Sequence, residues 1–244
     1  MANAQHIGIV ACSAEGAALC YRTVCLEGEA VMGRHDHPEV SMHTHSLAEY
    51  MNRIYLNDWR GVADLMVSSA EKLARMGADF AISPDNTIHQ ALDMVRERSP
   101  IPWLHIAEEV ALEAARLGYR RIGILGTRYL VESNVYPDKL EEHGLEWRRP
   151  KEPERERINE LIFEELVYGK FTPAALAYFQ NVIRGLEMRE RCDAVVLGCT
   201  EIPLLILPEH SPLPTLDSTR LLARAALFRA VSHFASGEKR QATA

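Results

Sequence analysis

The chain repeats itself, and the repeat limits the folds open to it. Ile7-Gly8-Ile9-Val10-Ala11-Cys12-Ser13 resembles Ile122-Gly123-Ile124-Leu125-Gly126-Thr127. Asp79-Phe80-Ala81-Ile82-Ser83-Pro84-Asp85-Asn86-Thr87 resembles Asp193-Ala194-Val195-Val196-Leu197-Gly198-Cys199-Thr200. Ser99-Pro100-Ile101-Pro102-Trp103-Leu104-His105 resembles Ser211-Pro212-Leu213-Pro214-Thr215-Leu216-Asp217. Ser13 matches Thr127 and Asp85 matches Cys199 at an offset of 114 residues, and Ser99 matches Ser211 at 112. Three blocks in one order at nearly one offset mean two similar units rather than one irregular one.

Each matched block is a short apolar run, and stretches of helical spacing lie between the blocks. Runs such as 7–11, 80–82, 122–125 and 194–197 read as strands buried on both faces. In 61–76, Val62, Leu65, Met66, Ala70, Leu73 and Ala74 fall on one side of a helix, and Gly77 ends it. Helices are expected at 87–98, 107–117, 158–168, 173–188 and 215–234, and a further strand at 101–106. The stretch 146–157 is dense in charge and reads as an exposed loop before a helix, with a linker as the alternative, and 31–44 is another polar stretch. Strand then helix, repeated, is the pattern of an α/β fold with parallel sheets and right-handed crossovers. The expected architecture is two pseudo-symmetric α/β lobes, each a mainly parallel sheet flanked by helices, with the active site in the cleft between them. The lobes are placed at 1–112 and 113–235. The last helix, 217–235, is free to pack back onto the first lobe, and 236–244 is a flexible tail.

Composition narrows the partners. With 244 residues, 47% of them apolar, the chain buries a full core without staples. Its net charge of −7 argues against nucleic acid, which demands a basic face. No run of 18 apolar residues is present to span a membrane, and the first residues show neither a basic start nor an apolar signal core. Five cysteines without scaffold spacing read as free thiols of a reducing cytoplasm. His35, His37, His43 and His45 lack the carboxylate or thiol spacing of a metal site, and no glycine-rich loop points to a nucleotide.

The chemistry is expected where ligands bind in open parallel sheets, beyond the carboxyl ends of the strands. Ser13, Asp85, Thr127 and Cys199 all fall there. Facing lobes turn Asp85 and Cys199 into partners across one cleft. Two proton carriers on opposite sides of a bound molecule suit a stereocentre, one removing a proton and the other delivering one. The Cys199 thiol, at a strand end before a helix, is expected to have its ionisation favoured by amides and helix dipole. Asn86, Thr87 and Thr200 offer donors for a carboxylate and an enolate-like intermediate.

These motifs resemble the aspartate/glutamate (Asp/Glu/hydantoin) racemase superfamily, which works without pyridoxal phosphate. The likeness runs from Ile7 to about Phe234. Gly198-Cys199-Thr200-Glu201-Ile202-Pro203-Leu204-Leu205 resembles the family's second cysteine block, with Glu201 as in the aspartate racemase branch. Asn86-Thr87 with His89 resembles the first block, which normally reads Cys-Asn-Thr-x-His, so Asp85 stands where the first catalytic cysteine is expected. Gly169-Lys170 resembles the stretch that supplies a lysine for the substrate carboxylate.

The resemblance implies a cofactor-independent isomerase, metal-free, acting on an amino acid with Cys199 and Asp85 as acid/base pair. Ser13, Asn86, Thr87, Thr127, Lys170, Thr200 and Glu201 are its implied substrate-binding residues. The alternatives are a one-cysteine decarboxylase or cis–trans isomerase of a dicarboxylate, and a non-catalytic amino-acid-binding relative. An acidic amino acid is the substrate the resemblance suggests, although a carboxylate at position 85 repels an acidic side chain unless basic groups compensate. Family members are often dimers, so a homodimer is the assembly the likeness suggests.

Overall fold

The structure, a computed structural model, describes residues 4–241, with side chains as far as 232. The chain divides into two compact units, Met1–Ile106 with Leu222–Ala244, and Ala107–Leu221.

The first unit is built on β1 (Ile7–Ala11), α1 (Ala14–Met32), β2 (Val40–Thr44), α2 (Leu47–Tyr55), α3 (Trp59–Arg75), β3 (Phe80–Ile82) and α4 (Leu92–Arg96). Its sheet has the order β2-β1-β3, and both pairings are parallel. β1 is buried at every position because helices cover both faces of a parallel sheet. Side chains fix the helix starts: Ser13 Oγ accepts from the Gly16 amide at the head of α1, and Asp58 Oδ1 from the Gly61 amide at the head of α3.

The second unit opens with α5 (Ile106–Arg116), whose first residue falls at the division between the units. It contains β4 (Arg121–Leu125), α6 (Arg128–Val131), α7 (Val135–Glu142), β5 (Glu146–Arg148), α8 (Glu152–Glu164), α9 (Pro173–Glu190), β6 (Ala194–Leu197), α10 (Ile202–Leu205) and β7 (Thr215–Asp217). Its sheet is β5-β4-β6-β7, again all parallel. β1 lies between β2 and β3 as β4 lies between β5 and β6, and β7 extends the second sheet beyond β6. The internal repeat is thus a repeat of sheet order. Apolar clusters fill this unit. One is centred on Phe179, Leu186 and Leu197 with the helices α8 and α9, and another on Ile122, Ile124 and Tyr136 with α5 and α7.

The final helix, α11 (Ser218–Gln241), starts in the second unit and continues in the first. There its Leu222, Ala223, Ala226 and Ala230 join Ile7, Ile9, Phe80 and Ile82 in one core cluster. Helical backbone covers part of the stretch expected to be a flexible tail, as far as Gln241. The remainder of that stretch, 242–244, lies outside the described residues.

Several local expectations are corrected. The polar stretches 31–44 and 146–157 each hold a strand, β2 and β5, at the edge of a sheet where one side meets solvent. The strand expected at 101–106 is reduced to a single bridge between Ala81 and Trp103. Pro100 and Pro102 flank the bridge, and proline has no N–H to extend a ladder. The helix expected at 87–98 is a 3-10 turn, Thr87–Ala91, followed by the short α4. Among the described residues no helix is long and apolar enough to cross a membrane.

Candidate active site

In the first unit the Asp85 carboxylate is gripped by backbone. The amide of Cys12 donates to Oδ2 at 3.0 Å, and that of Ser13 to Oδ1 at 3.1 Å and Oδ2 at 3.2 Å. These amides leave β1 and lead into α1, a helix of 19 residues. Both the N–H groups and the helix end favour the charged carboxylate. Asp85 is half-buried.

Behind Asp85 the loop is held by His89. Its Nε2 lies 3.0 Å from the Ser83 carbonyl oxygen, which only accepts, so the proton is on Nε2. Nδ1 is buried without a hydrogen-bond partner. Burial depresses the pKa of His89 to about 4, and the ring packs 4.8 Å from that of His105. Ser83 Oγ in turn accepts from the Asp85 amide at 3.4 Å. Asn86 is buried, its carbonyl accepts from the His89 amide, and the half-buried Thr87 opens the 3-10 turn.

Sequence reasoning missed Tyr50. It is wholly buried, its hydroxyl has only Ser69 beside it and forms no well-shaped hydrogen bond, and burial, with Cys12 and Asp85 nearby, raises its pKa. Tyr50 and Ile54 form the inward face of α2, a four-residue spacing that is the only sign the sequence carries. The neighbouring histidines are occupied by serines. His43 Nδ1 bonds Ser69 Oγ at 3.0 Å, His45 Nε2 bonds Ser68 Oγ at 3.3 Å, and Lys72 Nζ donates to His43 Nε2 at 2.9 Å.

In the second unit, Cys199, Thr200 and Glu201 form one knot beyond β6. The Cys199 thiol donates to Glu201 Oε2 at 2.9 Å, and Thr200 Oγ1 donates to the same oxygen at 2.8 Å. Glu201 is 4% exposed and Cys199 9%. α10, which follows the knot, has four residues and lends Cys199 little helix dipole, and the Glu201 carboxylate that accepts from the thiol opposes a thiolate. Glu201, expected to bind substrate, is directed at its own neighbours.

Thr127 sits at the corresponding end of β4, where its Oγ1 accepts from the Leu130 amide and caps α6. Leu125 and Leu197 are in register, and the Gly198 amide donates to the Leu125 carbonyl at 2.8 Å, so the ends of β4 and β6 leave the sheet together. A Cβ at Gly198 would lie 2.7 Å from that carbonyl oxygen, which is why the residue before the thiol is glycine. Lys170 is not drawn into this cluster. It is exposed, and its ammonium lies 5.8 Å from the centre of the Tyr168 ring. Among the described residues no group of three or more His, Cys, Asp or Glu is placed to hold a metal ion.

Residues 14–226 match the family described as Asp/Glu/Hydantoin racemase. The chain belongs to that family. It is 25% identical over 190 residues to the broad specificity amino-acid racemase RacX of Bacillus subtilis, covering 78% of this chain and 81% of the relative. Its fold superposes on a candidate Asp/Glu racemase from Yersinia pestis with a TM-score of 0.85 and 30% identity, over 93% of this chain and 99% of that one. An aspartate racemase homologue from Pyrococcus horikoshii gives 0.81 and 27%, over 93% and 99%. Against a curated glutamate racemase from Aquifex aeolicus the match spans about half of that protein's length, 51%. Membership of a racemase family makes this chain an isomerase, and the matched segment takes in Asp85, Asn86, Thr87, Thr127, Lys170, Cys199, Thr200 and Glu201.

Proposed function

We propose that the protein is a cofactor-independent amino-acid racemase in which Asp85 and Cys199 exchange a proton at the α-carbon from opposite faces. The observation that carries this reading is the equivalence of their positions. Each follows the strand, β3 or β6, that pairs with β1 or β4 on the side away from β2 or β5. A carboxylate and a thiol on equivalent strand ends are two proton carriers with different resting forms, as a two-base exchange needs.

In one direction the Asp85 carboxylate takes the α-proton, and the electron pair of the C–H bond passes into an enolate-like intermediate. The Cys199 thiol then gives its proton to the other face. The enzyme is left with protonated Asp85 and a Cys199 thiolate, the form that handles the opposite enantiomer. The enzyme's proton count is unchanged. Ser13, Asn86, Thr87, Thr127 and Thr200 supply donors for the substrate carboxylate, where growing negative charge is stabilised. Lys170 would have to leave the Tyr168 ring to join them. The substrate is an amino acid, as for the relatives named racemases, and the carboxylates of Asp85 and Glu201 disfavour one with an acidic side chain.

The reading is tested by incubating single enantiomers of acidic, neutral and basic amino acids in deuterated water, following α-deuterium and chirality together. Exchange with inversion is expected for the wild type, and loss of inversion in Cys199→Ala, where Asp85 alone can return deuterium only to the face it took the proton from. Full activity in Cys199→Ala, or inversion without deuterium uptake, defeats the mechanism.

A further inference from the structure

We infer that Glu201 is a positioning residue that holds Cys199 as the thiol, so that the resting protein carries its base on Asp85 and its acid on Cys199. The inference rests on the proposed role of Cys199 as an acid/base but is tested apart from it. Three observations support it. The thiol and the Thr200 hydroxyl point at one oxygen of a carboxylate that is 4% exposed. Among the described residues no cation pairs with Glu201. In the first unit the reverse arrangement holds, with two backbone amides donating to Asp85. A donor bonded to a carboxylate keeps its proton, and a carboxylate bonded by donors keeps its charge.

Other titratable groups near Cys199 are held in arrangements of their own. Asp217, at the end of the neighbouring β7, is bound by the Arg220 side chain and amide. Tyr136 of α7 is buried, which raises its pKa and keeps it neutral, and Ser218 is its hydroxyl neighbour. Tyr178 of α9, on the same apolar cluster, is shifted in the same direction by burial and nearby glutamates. Around Asp85 lie Cys12, Cys20 and Tyr50. Cys20 is fully buried with its pKa raised to about 12, and Tyr50 is also shifted upward, so both stay protonated there.

The consequence concerns the order of events in a turnover. The resting form meets one enantiomer ready to react. The other enantiomer needs the tautomer in which the proton has moved from Cys199 to Asp85. Because the free enantiomers are equal in energy, kcat/KM must match for the two. The difference falls on kcat and KM separately, with the form that binds each hand setting how far they diverge.

The experiment reads the thiol directly. Full-length protein is alkylated with iodoacetamide across pH 6–11, and modification of the Cys199 peptide is followed by mass, separately from the other cysteines. A free thiol ionises near about 8.5. Wild-type Cys199 is expected to have its midpoint above that value. In Glu201→Gln the midpoint falls by about one unit, so that alkylation at pH 7 is roughly tenfold faster. Glu201→Asp, which keeps the charge but withdraws it, falls between the two and serves if the Gln variant does not fold. The descending limb of kcat/KM against pH moves with the midpoint, which a merely structural glutamate would not cause. An unchanged or higher midpoint in Glu201→Gln overturns the inference. A lowered midpoint in a protein that exchanges no amino acid upholds it while removing the racemase reading.

Discussion

His89 donates its Nε2 proton to the carbonyl oxygen of Ser83, six residues back and two before Asp85. The ring thereby closes the loop that carries the carboxylate, and it does so only while neutral. Its pKa in the folded chain is depressed to about 4 from an ordinary 6.5. A depressed histidine contributes stability that is fully present above pH 6.5 and lost as pH falls through 4, since the unfolded chain takes up the proton first. The melting temperature should drop across this window. His89→Gln should start lower at pH 7.5 and decline less between 6.5 and 4. Parallel curves for the two proteins would place the acid sensitivity elsewhere.

Gly198 is fixed by its surroundings rather than by its own backbone angles. An added methyl meets Leu130 Cδ2 at 2.6 Å and the Leu125 carbonyl oxygen at 2.7 Å. The leucine can turn, but the carbonyl is part of β4. Gly198→Ala should cost about 1–3 kcal/mol in urea unfolding, the usual range for overpacking. It should lower exchange activity further by moving the thiol. A variant as stable as the wild type would show that β4 and β6 yield at that end.

Tyr50 buries a hydroxyl whose one neighbour, Ser69, already bonds His43 and the Leu65 carbonyl. A poorly satisfied buried polar group is a net burden, so Tyr50→Phe should leave stability unchanged or raise it by about 1 kcal/mol. A stability gain accompanied by a fall in activity would assign the hydroxyl to the reaction. A clear loss of stability would show that it has a partner in solution.

Asp85 accepts from two amides at the head of α1, so it supports the helix as well as the proposed chemistry. Asp85→Asn keeps an acceptor for one of them and should lose proton exchange while costing about 1 kcal/mol or less. Asp85→Ala leaves both amides without this acceptor and should cost about 1–3 kcal/mol. Asp85→Cys restores the residue that the resemblance places there and should raise racemisation. Deuterium uptake and chirality for the three variants, beside their melting curves, separate the two roles. Activity in Asp85→Asn equal to wild type would remove Asp85 from the proton transfer.

What the sequence revealed followed burial. β1, β3, β4 and β6 are short apolar runs because both their faces are covered, and such runs are readable one by one. β2 is Val-Ser-Met-His-Thr and β5 is Glu-Trp-Arg, and at the sheet edges their polar residues meet water. Nothing in their composition separates them from loops. They emerge only from pairing with β1 and β4. The site divides the same way. Asp85 and Cys199 were placed by the repeat, which fixes strand ends. The amides of Cys12 and Ser13 on Asp85, 73 and 72 residues away, depend on tertiary packing that no local pattern encodes. Glu201 stood beside Cys199 in the sequence, yet adjacency does not say which way a carboxylate turns.

The path of α11 sets the order in which the protein can assemble as it is made. Leu222, Ala226 and Ala230 complete a core whose other members include Ile7, Ile9 and Phe80. The ribosome therefore releases the whole of 107–221 before the first unit can seal its sheet. During that interval an apolar strand face is open in a nascent chain whose second unit already holds all its residues. Closure over so long a separation in sequence is slow compared with local folding. Truncation ahead of Leu222 should expose this face permanently, making the last helix, rather than the first strand, the step on which soluble protein depends.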